Sequence, residues 1–477
     1  MSKHDAEAES TLAEDADAHP ELTRSLGVTD CALLVIGAMV GTGIFLTTGD
    51  VAEKLPSPFL ILVAWLLGGV FALAGALTYA ELGAAFPRAG GHYVYMREAY
   101  GPLAGFLDGW VSFVATFPCS IAFMAVGVAA YLSHFLPAFA EDNVIATVSL
   151  WRATVTLHAG HFPALAAVLA LTAVNCLALR VGATTQNALT ALKIICILGL
   201  ALLGLGSGKG AWSNLVATGG GATGLGVLPA LAGALIGVSF AYLGWDAATY
   251  MGAEAREPQK ILPRSLAAGT ILVVALYLLF NLALLYLVPV AEMSGERKVA
   301  QDAAAVVLGR AGAGVISAAI ILCILGAMNA TIMIAPRIYY AMAEDGLFFR
   351  GLARVHPRFK VPTTAIIVQG VWTCIIVVTG TAGSILTYSV FAILVLSTAT
   401  AAGVFVLRAR RPGLHRPYGT WGYPIVPAIY CLGSLGILVN TLVHQPWQSA
   451  WSLVAVALGV PVYWYWRERS RGGSVPA

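Results

Sequence analysis

Gly37-Ala-Met-Val-Gly-Thr-Gly-Ile-Phe45 lies inside an apolar run long enough to cross a membrane, and glycine breaks that run. A second break, Ser239-Phe-Ala-Tyr-Leu-Gly-Trp-Asp246, falls in a later run of the same kind. In hydrocarbon every backbone N–H and C=O needs a partner, so a spanning helix is interrupted only where it lines a cavity or is covered by protein. Paired Gly-interrupted spans in matching places of two repeats are the best sequence pointer to a transporter's binding site. Together the two stretches imply carriage of a small molecule across a membrane.

Composition agrees. Hydrophobic residues make up 58% of the chain and charged residues 11%, against roughly half and a quarter in soluble domains. A net charge of +3 gives no ground for a nucleic-acid partner. All seven cysteines fall in apolar runs and read as small buried hydrophobes, not a disulfide framework or metal site. Residues 1–25 are acidic and lack an apolar stretch, so they read as a disordered cytoplasmic tail instead of a signal peptide.

Runs of about 20 apolar residues, the length a spanning helix needs, lie near 30–52 (broken), 58–86, 101–135, 160–179, 186–206, 229–254 (broken), 265–288, 312–343, 363–380, 384–408, 423–443 and 448–466. The fold class expected is therefore an all-α integral membrane protein of twelve spans. Twenty Lys and Arg residues fall in the tails and even-numbered connections, six in the odd-numbered ones, and Lys193 lies within a span. That bias puts both termini in the cytoplasm and places the chain in a plasma or inner membrane, in contact with lipid. Breaks in the first and sixth spans suggest two five-helix halves of opposite orientation, 26–206 and 229–411, with two peripheral helices in 421–467 and a second tail over 468–477.

Unwinding at Gly41-Thr42-Gly43 would expose the first N–H groups of a half-helix starting near Ile44, a site suited to a carboxylate. The competing reading of Gly37-x-x-x-Gly41 is close helix packing. At the sixth-span break, free carbonyls around Phe240, Ala241 and Leu243 would attract an ammonium group, and Phe240 could cover the ligand. Tyr242 and Trp245 read as packing aromatics. Lys193 could replace a bound cation by donating to carbonyls of the unwound first span, or could snorkel to the inner face. Asp246, two residues beyond Gly244, could meet a cationic group or pair with a neighbour. Glu81 and Glu254 read as interfacial, and Asp108 as flanking or capping the start of the third span. His92, His356 and His415 fall in inner loops and receive no role. No Gly-Lys-Ser/Thr phosphate loop, nucleophile–base pair or metal-ligand spacing is present, so neither enzyme activity nor a cofactor or metal is expected.

In this order the motifs are specific. Val40-Gly-Thr-Gly-Ile-Phe45, Phe86-Pro-Arg-Ala-Gly-Gly-His-Tyr-Val-Tyr95, Ser239-Phe-Ala-Tyr-Leu-Gly-Trp245 with Glu254-x-x-x-Pro258, and Met328-Asn-Ala-Thr331 with Pro336 to Gly346 and Val355-His-Pro-Arg358 resemble segments of the amino acid–polyamine–organocation superfamily. The L-type amino acid transporter and bacterial permease branches look most similar. The resemblance implies a leucine-transporter-type fold of five plus five inverted helices with discontinuous helices 1 and 6. It implies that Met39, Val40, Gly41, Thr42 and Gly43 hold an amino acid carboxylate. Phe240, Ala241 and Leu243 would take the α-amino group, with Gly244 and Asp246 beside it. Lys193 would occupy the place of a sodium ion. Leu243 stands where relatives often have a smaller residue. No cysteine lies between spans three and four, which excludes the disulfide to a partner glycoprotein found in animal members. The leading expectation is a sodium-independent exchanger or proton-coupled importer of L-amino acids, neutral ones first. A cationic amino acid or polyamine permease comes second, and an amino acid sensor that does not transport is a third reading.

Overall fold

The computed structural model describes residues 22–140, 143–150, 153–216, 226–295, 299–379, 382–444 and 446–472. Most of the expected N-terminal tail, and the last residues of the C-terminal one, lie outside them. The first run divides into α1 (Val28–Met39) and α2 (Gly43–Lys54), then come α3 (Pro58–Ala85), α4 (His92–Tyr100), α5 (Pro102–Val111) and α6 (Phe117–Leu132). After a hairpin follow α7 (His161–Leu177), α8 (Leu179–Gly206), α9 (Val227–Ala241) and α10 (Pro258–Leu287). The remainder is α11 (Val290–Met293), α12 (Val299–Leu308), α13 (Gly312–Ile334), α14 (Pro336–Glu344), α15 (Thr363–Thr379), α16 (Ala382–Arg410), α17 (Ile425–His444) and α18 (Pro446–Gly472).

Proline marks many of the starts. Pro58, Pro102 and Pro258 occupy the first turn of their helices, where a missing N–H costs nothing and the fixed φ suits the helix. Seven described helical stretches are long and apolar enough to cross a membrane: Pro58–Ala85, Pro102–Leu132, Leu179–Gly206, Pro258–Leu287, Gly312–Glu344, Phe391–Arg410 and Ile425–Val443. Their outward faces are apolar. On α8, Leu192, Ile195, Leu202 and Leu203 are exposed at helical spacing, a surface that water disfavours and lipid accepts. The chain is a multi-pass membrane protein.

Among the described residues the fold departs from an all-α reading at one hairpin. Val144–Leu150 (β1) and Ala153–His158 (β2) pair antiparallel between α6 and α7. Alternating residues such as Thr-Val-Ser-Leu and Thr-Val-Thr-Leu favour a pleated ladder, a period of two that a search for apolar runs passes over. The sixth run differs too. Beyond α9 it does not resume as a regular helix but continues through turns into short 3₁₀ segments at Ala247–Tyr250 and Gly252–Glu254. Gly244 has φ +102°, and a Cβ there would lie 2.9 Å from the Ala38 carbonyl carbon, so this turn requires glycine.

The acidic residues read as interfacial are instead sequestered. Glu254 is fully buried and receives Arg337 Nε at 3.1 Å and Nη2 at 2.8 Å. Glu81, 3% exposed, receives Arg408 Nε at 2.9 Å and Nη2 at 2.7 Å, and the Thr420 amide at 2.7 Å. A carboxylate removed from water requires such partners, and those partners lie far away in sequence, where no local pattern reveals them.

Candidate functional site

The two breaks face each other. α1 ends when Val40 leaves helical geometry at φ −79°, ψ 89°, and α2 begins at Gly43. The Phe45 amide bonds back to the Thr42 carbonyl at 3.1 Å, so the open amides at the start of α2 are those of Gly43 and Ile44. A Cβ on Gly43 would fall 2.6 Å from the Ala241 Cα, so the start of α2 lies directly against the end of α9. Tyr277 of α10 ties both breaks together, its hydroxyl 2.9 Å from the Met39 carbonyl and 3.1 Å from the Ala241 carbonyl.

Between them opens a cavity of about 180 Å³. Met39, Gly41, Thr42 and Gly43 line it from the first break. Phe240, Ala241, Leu243, Gly244 and Asp246 line it from the sixth. Val40 does not: its side chain is fully buried, and its carbonyl turns away from the cavity to Lys193. Gly37 serves packing, since a Cβ there would meet the Gln186 side chain at 1.9 Å. Gly37 therefore packs against α8, whereas Gly41 lies on the cavity wall.

Lys193 is fully buried, and its Nζ donates to the Gly37 and Val40 carbonyls, each at 2.7 Å. It does not snorkel. Gly326 makes room for it, because a Cβ there would lie 2.4 Å from Lys193 Cε. These are the carbonyls that unwinding frees, and a cation held by them satisfies buried acceptors.

Two residues correct the sequence reading. Asp108 does not cap a helix start: it lies within α5, 1% exposed, on the cavity wall. His92, given no role, is 6% exposed and lines the same cavity. Its Nε2 is 2.7 Å from Asp246 Oδ2, and its Nδ1 is 3.9 Å from Asp108 Oδ1. Tyr250 also donates to Asp246 Oδ2, at 3.0 Å. The loop reaches inward because Gly90 and Gly91 have φ of +108° and +47°. It lies flat on the sixth-span segment, with the Gly90 amide donating to the Tyr250 carbonyl at 3.3 Å. The Gly-Gly-His sequence was the available signal. Ser112 and Thr116 reach the wall from a π-helical turn, Ser112–Thr116, that joins α5 to α6; such turns often mark functional positions.

The comparisons agree with this geometry. The amino acid permease family model matches residues 26–465. The chain is 31% identical to the serine/threonine exchanger SteT of Bacillus subtilis (strain 168), over 94% of this chain and 98% of that one. It is 28% identical to the human large neutral amino acids transporter small subunit 2, over 96% and 85% of the two chains. It is also 28% identical to the mouse b(0,+)-type amino acid transporter 1, over 93% and 88%. With two facing helix breaks around one cavity, and with the match running nearly end to end, this chain belongs to the amino acid permease family.

Proposed function

We propose that this permease exchanges neutral L-amino acids across the membrane without sodium, holding each at the two helix breaks. The observation that carries the reading is the buried Lys193 ammonium at 2.7 Å from both the Gly37 and Val40 carbonyls. A fixed cation there supplies the positive charge that a bound ion otherwise brings. The α-carboxylate meets the open amides at the start of α2, beside the Thr42 hydroxyl, where the helix dipole favours an anion. The ammonium meets carbonyls at Phe240 and Leu243, while Phe240 covers the ligand. The side chain extends toward apolar groups such as Phe117, Phe123 and Met124 on the opposite wall. Asp246 is already engaged by His92 and Tyr250, which favours neutral substrates over cationic ones. The unpartnered Oδ2 of Asp108 favours the second reading, a cationic amino acid or amine permease.

In this reading the chain has twelve spans. Residues 26–206 and 229–411 form inverted repeats, 421–467 is peripheral, the 1–25 and 468–477 tails are cytoplasmic, and no disulfide-linked subunit takes part. The membrane is the plasma or inner membrane.

Two measurements test it. Proteoliposomes loaded with L-serine should take up labelled L-serine at an undiminished rate when choline replaces sodium. Loss of uptake in choline refutes sodium independence, and displacement by L-lysine or spermidine in preference to L-leucine favours the second reading. For topology, a cysteine introduced at Lys209 should react with an impermeant maleimide from outside intact cells, and one at Arg354 only after permeabilisation. The reverse pattern would invert the assigned orientation.

A further inference from the structure

His92, Asp108 and Asp246 make a charged cluster on the cavity wall that holding an amino acid backbone does not require. Asp108 and Asp246 each have His92 as their only ion-pair partner among the described residues. Even a doubly protonated imidazole leaves the trio with one unbalanced negative charge. Asp108 is 1% exposed, and its Oδ2 has no hydrogen-bond partner among the described residues. A buried, unpartnered carboxylate oxygen costs free energy until something donates to it.

The groups facing the cluster come from every element around it. Tyr79 of α3 lies 4.8 Å from the imidazole, ring centre to ring centre, and Tyr250 stacks on it at 5.2 Å. Tyr95 of α4 and Tyr430 of α17 stand near Asp246. All are neutral phenols, and among the described residues no lysine or arginine forms an ion pair with Asp108 or Asp246. Asp246 stays 16% exposed, which leaves it partly solvated while the cavity holds water. An arriving ligand expels that water, and removing solvent from a net negative cluster favours protonation. A neutral side chain brings no positive charge to oppose this.

We propose that His92, Asp108 and Asp246 form a proton-binding site, which takes up one proton from solution when a neutral amino acid enters the cavity and returns it when the amino acid leaves. The proton bridges the acidic oxygens and the imidazole; no bond in the substrate changes. The inference rests on the reading of this cavity as the amino acid site. It makes His92 and Asp108 determinants of substrate charge, because a cationic side chain would take the proton's place.

The test is calorimetric titration of the purified full-length permease with L-serine, at one near-neutral pH, in buffers of different ionisation enthalpy. The observed heat should vary linearly with that enthalpy, with a slope of about one proton taken up per serine for such a coupled cluster. Asp108→Asn and His92→Gln should each reduce the slope toward zero. A flat wild-type response overturns the proposal without recourse to any variant. An unchanged slope in both variants also overturns it, by moving the proton to another group such as Lys193. Stronger binding of L-lysine than of L-serine, with no linked proton, would put a substrate ammonium in the cluster instead. Serine exchange by the same preparation reports on the transport reading alone. Exchange without proton uptake removes only the proton site, whereas absence of both binding and exchange removes the two together.

Discussion

Replacing Gly43 with alanine should reduce L-serine exchange by about a hundredfold, the loss expected when a binding constellation shifts by about 1 Å. The new methyl would fall 2.6 Å from the Cα and 2.9 Å from the Cβ of Ala241. The first of these is a backbone atom, which cannot rotate aside, so α2 and α9 must separate. Overpacking of this kind costs about 1–3 kcal/mol, which a large helical bundle survives. The variant should therefore still elute as a monodisperse species on size-exclusion chromatography. Gly199→Ala is the matched control, because a Cβ there meets nothing within 4 Å, and its exchange should equal that of the wild type. If Gly43→Ala exchanges serine as fast as Gly199→Ala, the facing breaks do not form the binding site.

The second large effect is expected at Lys193. Lys193→Ala leaves the Gly37 and Val40 carbonyls without their donor in a buried setting, at a cost of about 1–3 kcal/mol for each orphaned group. Because these carbonyls set the shape of the first break, exchange in choline should fall on the order of a hundredfold, the equivalent of about 2.7 kcal/mol. Lys193→Met preserves the volume but not the charge, and should be impaired as severely. If instead the methionine variant keeps most of the wild-type rate, Lys193 contributes packing alone and the account of sodium independence fails.

How much of this was legible in the sequence depended on the range of the interaction. The breaks were readable because glycine inside an apolar run is a local signal, and finding it in two spans at once favours a cavity over close packing. Lys193 was readable because a lone cation within a span needs acceptors, and an unwound span supplies free carbonyls. The His92 cluster was not, because its members stand 16 and 138 residues apart along the chain and meet only when the loop before α4 folds in under the sixth-span segment. Position relative to predicted spans placed His92 in a polar loop, whereas the consecutive positive φ values at Gly90 and Gly91 turn that loop inward. The β1–β2 hairpin escaped notice because its period of two has no place in a search for continuous apolar runs. Glu81 and Glu254 looked interfacial because their arginine partners, Arg408 and Arg337, stand 327 and 83 residues further along the chain.

The Tyr277 hydroxyl, which reaches both the Met39 and the Ala241 carbonyls, bears on how the molecule moves. One side chain pins the two interrupted helices at their crossing point, so the halves of the ligand cradle are fastened to a single strut before any ligand arrives. A motion that exposes the cradle to one side of the membrane and then the other should therefore carry α1, α9 and α10 together for as long as those two contacts hold. The bending is then expected in the outer halves of the helices and their connecting loops, away from the cradle.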